Sequence, residues 1–232
     1  MNTIKSVMFL GFPEVGEQDL FAAWELFRSL AWSLSQQGQT LQVTIGSFKG
    51  GLIHTHMGAD VLGQQLLSPS DRFDVLYIPG GTGAGKASKD PVVLDFIRAH
   101  HSEGKWVAAN CAGVGVLFRA GVLKALQITT PATLYRRLPA LGANVMSPRR
   151  AWKVDEEHRI FTSGGAATVH PSTIALINTL FGEEAARGVA TAWDSLALHG
   201  EALFEEQGPV MHDDPQTLPA LQDTFEMIFL PD

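Results

Sequence analysis

Cys111 is the single cysteine of the chain, and it stands where a short apolar run, Trp106-Val-Ala-Ala109, meets a glycine-punctuated segment, Ala112-Gly-Val-Gly115. An unbroken apolar run of this length is the pattern of a strand covered on both faces. The segment after Cys111 stays largely apolar to Ala120 and reaches Gly121, a residue suited to close a helix. Ala109-Asn-Cys111-Ala-Gly113 therefore has the layout of a nucleophile elbow: small residue, any residue, nucleophile, any residue, glycine. The tight strand-to-helix turn demands small neighbours, and it presents a strained nucleophile at the carboxyl edge of a sheet. A helix N-terminus there favours the thiolate over the thiol. A lone cysteine in apolar sequence is otherwise a small buried hydrophobe; the elbow spacing makes Cys111 the candidate nucleophile.

Other residue patterns carry less. Gly80-Gly-Thr-Gly-Ala-Gly85-Lys86 has the glycine and lysine spacing of a phosphate loop, but Ala87 replaces the Ser or Thr that holds magnesium. The next helix is expected to begin at Asp90-Pro91, too far on to offer its N-terminus to a phosphate, so nucleotide binding is not expected. His54 and His56 share one strand face with no acidic or cysteine ligand at a suitable spacing, and read as satisfied or exposed rather than metal-binding. His100 and His101 fall at a predicted helix C-terminus, where positive charge is favourable. No serine sits in an elbow, so a serine hydrolase is unsupported.

The elements that must position Cys111 can be read in order. Residues 4–11 form a strand-like run ended by Phe12-Pro13, and a helix with Leu20, Trp24, Phe27, Leu30 and Leu34 on one face follows, through about residue 35. Asp19 lies near its start and has the side chain of an N-cap. Residues 41–48 alternate as a second strand, Gly50-Gly51 turns into residues 52–57, and residues 72–79 are another buried strand. Asp90-Pro91 opens a helix to about His101, and the elbow strand comes next. Beyond the elbow the pattern predicts a short strand at 126–130 and a helix at 131–141. A hairpin over 151–162, a helix over 168–181 and a last long helix to about His199 complete it. Strand and helix alternate throughout, which predicts an α/β domain with a parallel sheet and helices on both faces. One domain over residues 1–200 is expected, with an acidic tail, 201–232, packing on the domain or across a dimer. Its amphipathic stretch is 218–229.

The formal charge of −7 and pI near 5.6 exclude a nucleic-acid surface, which needs clustered Lys and Arg. No signal-peptide pattern and no apolar run of membrane-spanning length is present, so no membrane partner is expected. One cysteine cannot form an internal disulfide, and a reduced, cytoplasmic setting is expected.

Five segments in register resemble the ThiJ/PfpI family of the class I glutamine amidotransferase-like superfamily, over roughly residues 4–200. They are Phe12-Pro-Glu-Val15 with Asp19-Leu20, Ile78-Pro-Gly-Gly81-Thr82, Cys111-Ala-Gly113, Thr129-Thr130 and Thr162-Ser-Gly-Gly165. Within the family the isocyanide hydratase branch is the nearest. The resemblance implies a flavodoxin-like three-layer sandwich with a mainly parallel sheet, a homodimer, a small-molecule substrate and no metal or organic cofactor. It implies that Cys111 is the nucleophile and Asp19 the acid that relays protons. Backbone N–H groups of Gly81 and Ala112 would form an oxyanion-type pocket, with Thr82 in the substrate-binding set. The implied reaction adds the Cys111 sulfur to an isocyanide, and water then releases an N-substituted formamide. Pro131 occupies the place of a histidine common in the family, Ala112 that of the branch's threonine, and Ala22-Ala23-Trp24 that of a Gly-Pro-rich segment. His170 stands where the branch has an apolar residue, beside Pro171 at the start of a predicted helix. Two other functions share these residues: a redox-sensing or reactive-carbonyl thiol, and a non-catalytic ligand-binding dimer related to the sensory domain of transcription regulators.

Overall fold

The computed structural model describes residues 4–231, and the statements below concern those residues. In chain order the elements are β1 (Ser6–Leu10), α1 (Glu17–Gln36), β2 (Gln42–Ser47), β3 (Leu52–His54), β4 (Asp60–Leu62), β5 (Gln65–Leu66) and β6 (Val75–Ile78). There follow α2 (Ala84–Ala87), α3 (Pro91–Ser102), β7 (Trp106–Ala109), α4 (Gly113–Ala120), α5 (Arg137–Ala140), β8 (Trp152–Asp155) and β9 (Ile160–Ser163). The chain closes with α6 (Val169–Phe181), α7 (Glu183–Ala192), α8 (Ser195–His199) and α9 (Leu218–Phe229).

Val7 to Leu10 in β1, all of β6, and Val107 to Ala109 in β7 are buried, because helices cover both faces of these apolar strands. The seven-stranded sheet runs β5-β2-β1-β6-β7-β9-β8, parallel throughout except for β8 against β9. Register places Phe9 beside Tyr77, and Ile78 beside Ala109, so β1, β6 and β7 end at nearly one level. The chain leaves β1 for β2 on one side and returns to β6 on the other. That reversal opens a crevice beyond the carboxyl ends of β1 and β6, where such sheets bind ligands. Helices α1, α6 and α7 pack together on one face, and α2, α3 and α4 on the other. The result is the α/β three-layer sandwich that the alternation predicts.

Local chemistry fixes several boundaries. Asp90 caps α3, its Oδ1 accepting from Val92 N at 2.9 Å, with Pro91 in the first turn. Gly121, at φ 80°, ends α4 in the left-handed region that glycine tolerates. Other boundaries depart from the sequence pattern. The predicted strand at 126–130 shrinks to one bridge between Ile128 and Val145, and residues 52–57 yield only β3, paired antiparallel with β4. The last long helix is broken at Asp194, which adopts φ 56°, into α7 and α8.

His100 also departs from expectation. It is fully buried against Phe96 and Phe73, its Nε2 accepts from Phe73 N at 3.2 Å, and Nδ1 faces the Phe96 carbonyl at 2.8 Å. Burial pushes its pKa down, so packing rather than attraction of a cation to the helix end explains it. The pKa of His101 is lowered for the same first reason.

Beyond α8 the tail lies on the same domain. Residues 206–210 run antiparallel beside β8: Val154 N donates to Glu206 O at 2.9 Å, Gly208 N to Trp152 O at 3.0 Å, and Ala151 N to Pro209 O at 2.9 Å. They cover a sheet edge that would otherwise present unpaired backbone. Buried Arg149 pairs with Asp213. Helix α9 then seats beside α2, with Gln222 Nε2 donating to Ala132 O at 2.9 Å and Arg136 bridging Asp223 and Glu226. No helix is long and apolar enough to cross a membrane.

Candidate active site

Three loops meet at the crevice. The loop after β1 and the first turn of α1 bring Asp19, the loop after β6 brings Gly80 and Gly81, and the turn after β7 brings Cys111. Cys111 has φ 47°, a left-handed conformation that costs a non-glycine residue about 1–2 kcal/mol. The turn survives because its backbone is anchored: Cys111 N donates to Gly164 O at 2.7 Å, and Gly113 N to Asn110 O at 2.9 Å. Gly113 is also required, since a Cβ there would run into the carbonyls of Ile78 and Pro79. This is the strained elbow that the spacing predicts.

Asn110 stitches the loops together. Its Oδ1 accepts from Gly80 N at 3.0 Å, and its Nδ2 donates to the Asp19 carbonyl at 2.9 Å. Gly80 then fits between acid and thiol; a Cβ added to it would lie 2.5 Å from Cys111 Cβ and 2.6 Å from Asp19 Oδ2. The Asp19 carboxyl and Cys111 thus flank Gly80 closely enough to shift each other's titration, and the N–H groups of Ala112 and Gly81 lower the pKa of the thiol. Gly81, at φ 104°, presses so closely on Gly16 N and Glu14 O that no side chain fits. Thus Cys111, Asp19, Gly81 and Ala112 come together.

Asp19 is only 4% exposed, and its Oδ1 has no hydrogen-bond partner. Burial pushes its pKa up to about 6; the hydrogen bond with Cys111 pulls the other way, and Glu17 adds to the rise. The first helix starts at Glu17 with Gly16 as its cap residue, so Asp19 is not the N-cap its position proposed. The thiol also departs from expectation. Burial first, and the Asp19 charge second, push the Cys111 pKa well above its ordinary value, against the lowering by the Ala112 and Gly81 N–H groups. The helix-end effect is present and is outweighed. At neutral pH the resting pair is therefore thiol and carboxylate, with the proton on sulfur.

Cys111 and Asp19 open into a cavity of about 530 Å³ whose other walls include Glu17, His56, Met57, Thr82, Ala166 and Phe229. Thr82 Oγ1 is engaged at 2.9 Å by His56 Nδ1 and at 3.3 Å by Glu14 Oε2, so its hydroxyl sits at the rim. His56 and Met57 come from the turn between β3 and β4, and Phe229 from α9. No local sequence signal marks these three, because long-range folding delivers them. His170 lies elsewhere, its Nδ1 2.8 Å from Ser195 Oγ and its ring edge-on to Trp193. His54 pairs with Asp60, and no cluster of three or more His, Cys, Asp or Glu side chains of metal-binding arrangement occurs among the described residues.

The phosphate-loop glycines have a packing explanation. A side chain on Gly83 would collide with the Pro13 carbonyl, and one on Gly85 with the Ile228 carbonyl. Lys86 pairs with Glu14 at 2.8 Å.

Residues 5–178 match the model of the DJ-1/PfpI family. The chain belongs to that family. It is 28% identical over 179 residues to the isonitrile hydratase of Pseudomonas putida, covering 77% of this chain and 73% of the relative. It is 29% identical over 112 residues to the glutathione-independent glyoxalase DJR-1.2 of Caenorhabditis elegans, covering 48% and 58% respectively. The crystal structure of Drosophila melanogaster DJ-1beta superposes with a TM-score of 0.71 at 23% identity, covering 82% of this chain and 98% of that one. The sheet order and the helices on both faces agree with this flavodoxin-like fold.

Proposed function

We propose that the protein hydrates small organic isocyanides to N-substituted formamides, with Cys111 as nucleophile and Asp19 as proton relay. The observation that carries this reading is the buried Asp19 carboxyl against the Cys111 thiol, at the floor of an open cavity. An ionised Asp19 takes the thiol proton as sulfur bonds to the isocyanide carbon, and returns it to that carbon, giving a thioimidate, R–N=CH–S–Cys. Water adds to the C=N bond, the C–S bond breaks, and the thiol is restored as R–NH–CHO leaves. The Gly81 and Ala112 N–H groups lower the thiol pKa and so favour charge developing on the sulfur in both half-reactions. Thr82 lies on the substrate side of the same cavity. Each chemical step is supplied by these side chains and water. Pro131 in the place of the family's histidine leaves the acid as the proton carrier. Similarity to an isonitrile hydratase over most of both chains supports the same reaction.

A second reading keeps the thiol and changes the electrophile to a reactive carbonyl such as methylglyoxal, which similarity to a glyoxalase favours. A peroxide-sensing thiol is less well supported, because the raised Cys111 pKa keeps the nucleophilic thiolate scarce. The open cavity above Cys111 speaks against a purely ligand-binding role. We further propose a homodimer, supported by the exposed Leu52, Leu62 and Leu66 around the β3–β4 hairpin, in the cytoplasm, where a lone thiol stays reduced. Mixing the purified protein with cyclohexyl isocyanide, and separately with methylglyoxal, tests the reaction. Formation of N-cyclohexylformamide is expected; consumption of methylglyoxal alone would move the assignment to the second reading.

A further inference from the structure

The cavity above Cys111 has a marked charge asymmetry. Glu17, Asp19 and the His56 ring line it, and no lysine or arginine among the described residues does; Lys86 is tied to Glu14, and Arg149, which packs behind Gly164, is paired with Asp213. Glu17 is held in place from two directions. It sits in the first turn of α1, where a helix favours an anion, and its Oε1 accepts from the Thr55 hydroxyl and, at 2.7 Å, from Met57 N. Burial alone would raise its pKa, but the bonds from Thr55 and the backbone outweigh burial and keep the carboxylate below its ordinary value. A charge fixed in a partly enclosed cavity acts at greater strength than one in open water. Met57, Ala166 and Phe229 contribute apolar lining to the same cavity.

We propose that Glu17 is a specificity-determining residue, which restricts the site to uncharged or cationic electrophiles bearing an apolar substituent and turns anionic ones away. The proposal rests on Cys111 being the reacting thiol. It does not depend on which electrophile the protein turns over. Glu17 also anchors the β3–β4 turn to α1 through Thr55 and Met57, so the same side chain that repels an anion holds the apolar Met57 wall in position.

The test uses reagents that alkylate Cys111 and differ in charge. Iodoacetamide is neutral, iodoacetate carries a negative charge, and both release iodide. The ratio of their rates at Cys111 is compared with the ratio for 2-mercaptoethanol, a thiol without a charged cavity. We expect the protein to exceed the reference by about tenfold or more, the effect of one charge a few ångströms away across a partly hydrated space. Glu17→Gln, which retains an oxygen for Thr55 and Met57, is expected to lower the ratio by about tenfold, and raising the salt concentration to reduce it in the wild type. A measurement on wild type alone covers the case in which that variant does not fold. The cationic aminoethyl methanethiosulfonate should then modify Cys111 faster than the anionic sulfonatoethyl reagent, beyond their rates with 2-mercaptoethanol. A ratio equal to that of the free thiol, or one that Glu17→Gln leaves in place, overturns the proposal. Retained discrimination without isocyanide turnover overturns the hydratase reading alone. A thiol inert to every reagent overturns both.

Discussion

Replacing Asp19 by Asn should stabilise the protein at alkaline pH and leave its stability nearly unchanged in acid. Asp19 is 4% exposed, its Oδ1 has no partner, and its pKa rises from the ordinary 3.8 to about 6. A raised folded-state pKa means that the folded protein binds the proton more tightly than the unfolded chain does. The associated stability is fully present below pH 3.8 and is lost as pH rises through about 6. At about 1.4 kcal/mol per tenfold change in proton affinity, the loss above pH 7 amounts to roughly 3 kcal/mol. Asn has nearly the shape of the protonated acid and carries no charge to desolvate. It should therefore recover ~1–3 kcal/mol at pH 8, or ~2–12 °C in Tm for a chain of this size, after allowing for its imperfect contact with the thiol. Thermal melts at pH 8 and pH 3.5 of wild type and variant give the comparison. A variant that is equally stabilised at both pH values, or destabilised at pH 8, would refute the reasoning that burial of this carboxylate opposes folding. The same variant should lose turnover, which would make Asp19 a residue kept at the expense of stability.

The pH dependence of turnover follows from the same carboxyl. Asp19 must be ionised to take the thiol proton, so kcat/KM for an isocyanide should fall about tenfold per pH unit below about pH 6, as steady-state rates would record. Gly80→Ala puts a methyl group 2.5 Å from Cys111 Cβ and 2.6 Å from Asp19 Oδ2; the forced separation should lower kcat ~100-fold or more while circular dichroism remains native. Gly85→Ala places a Cβ against the Ile228 carbonyl and should loosen α9, seen as faster limited proteolysis near the C-terminus. Asp90→Ala removes the cap bond to Val92 N and should lower stability by ~1 kcal/mol, read from denaturant midpoints, without a change in activity.

What could be read from the sequence divides by the range of the interactions involved. The elbow at Cys111 was legible because small residues next to a nucleophile at the end of an apolar strand leave few other geometries. The parallel sheet was legible from alternating strand and helix patterns, whereas Asp19 and Gly81 were singled out only by the family resemblance, since Asp19 by itself reads as a helix cap, and Gly80 was not singled out at all. The ionisation state of the pair was not legible. A helix N-terminus argues for a thiolate, but the partial desolvation of Cys111 and its carboxyl neighbour exist only in the folded chain, and they reverse the sign. His100 teaches the same lesson, since burial against Phe73 and Phe96 outweighs the helix end. His56, Met57 and Phe229 reach the cavity through a bent hairpin and a distant helix, and nothing local to their sequence records that journey. The glycines of residues 80–85 resemble a phosphate loop only in spacing: they serve close backbone approach to Pro13, Glu14 and Ile228, a reason that the sequence does not display.

The most direct test of the mechanism compares hydration of cyclohexyl isocyanide by wild type, Cys111→Ala and Asp19→Asn, followed as appearance of the formamide. Turnover by wild type, none above background with Cys111→Ala, and a loss of at least ~100-fold with Asp19→Asn is the expected result, since the thiol is the nucleophile and the carboxyl its proton carrier. Turnover that survives removal of the Cys111 sulfur would contradict the account.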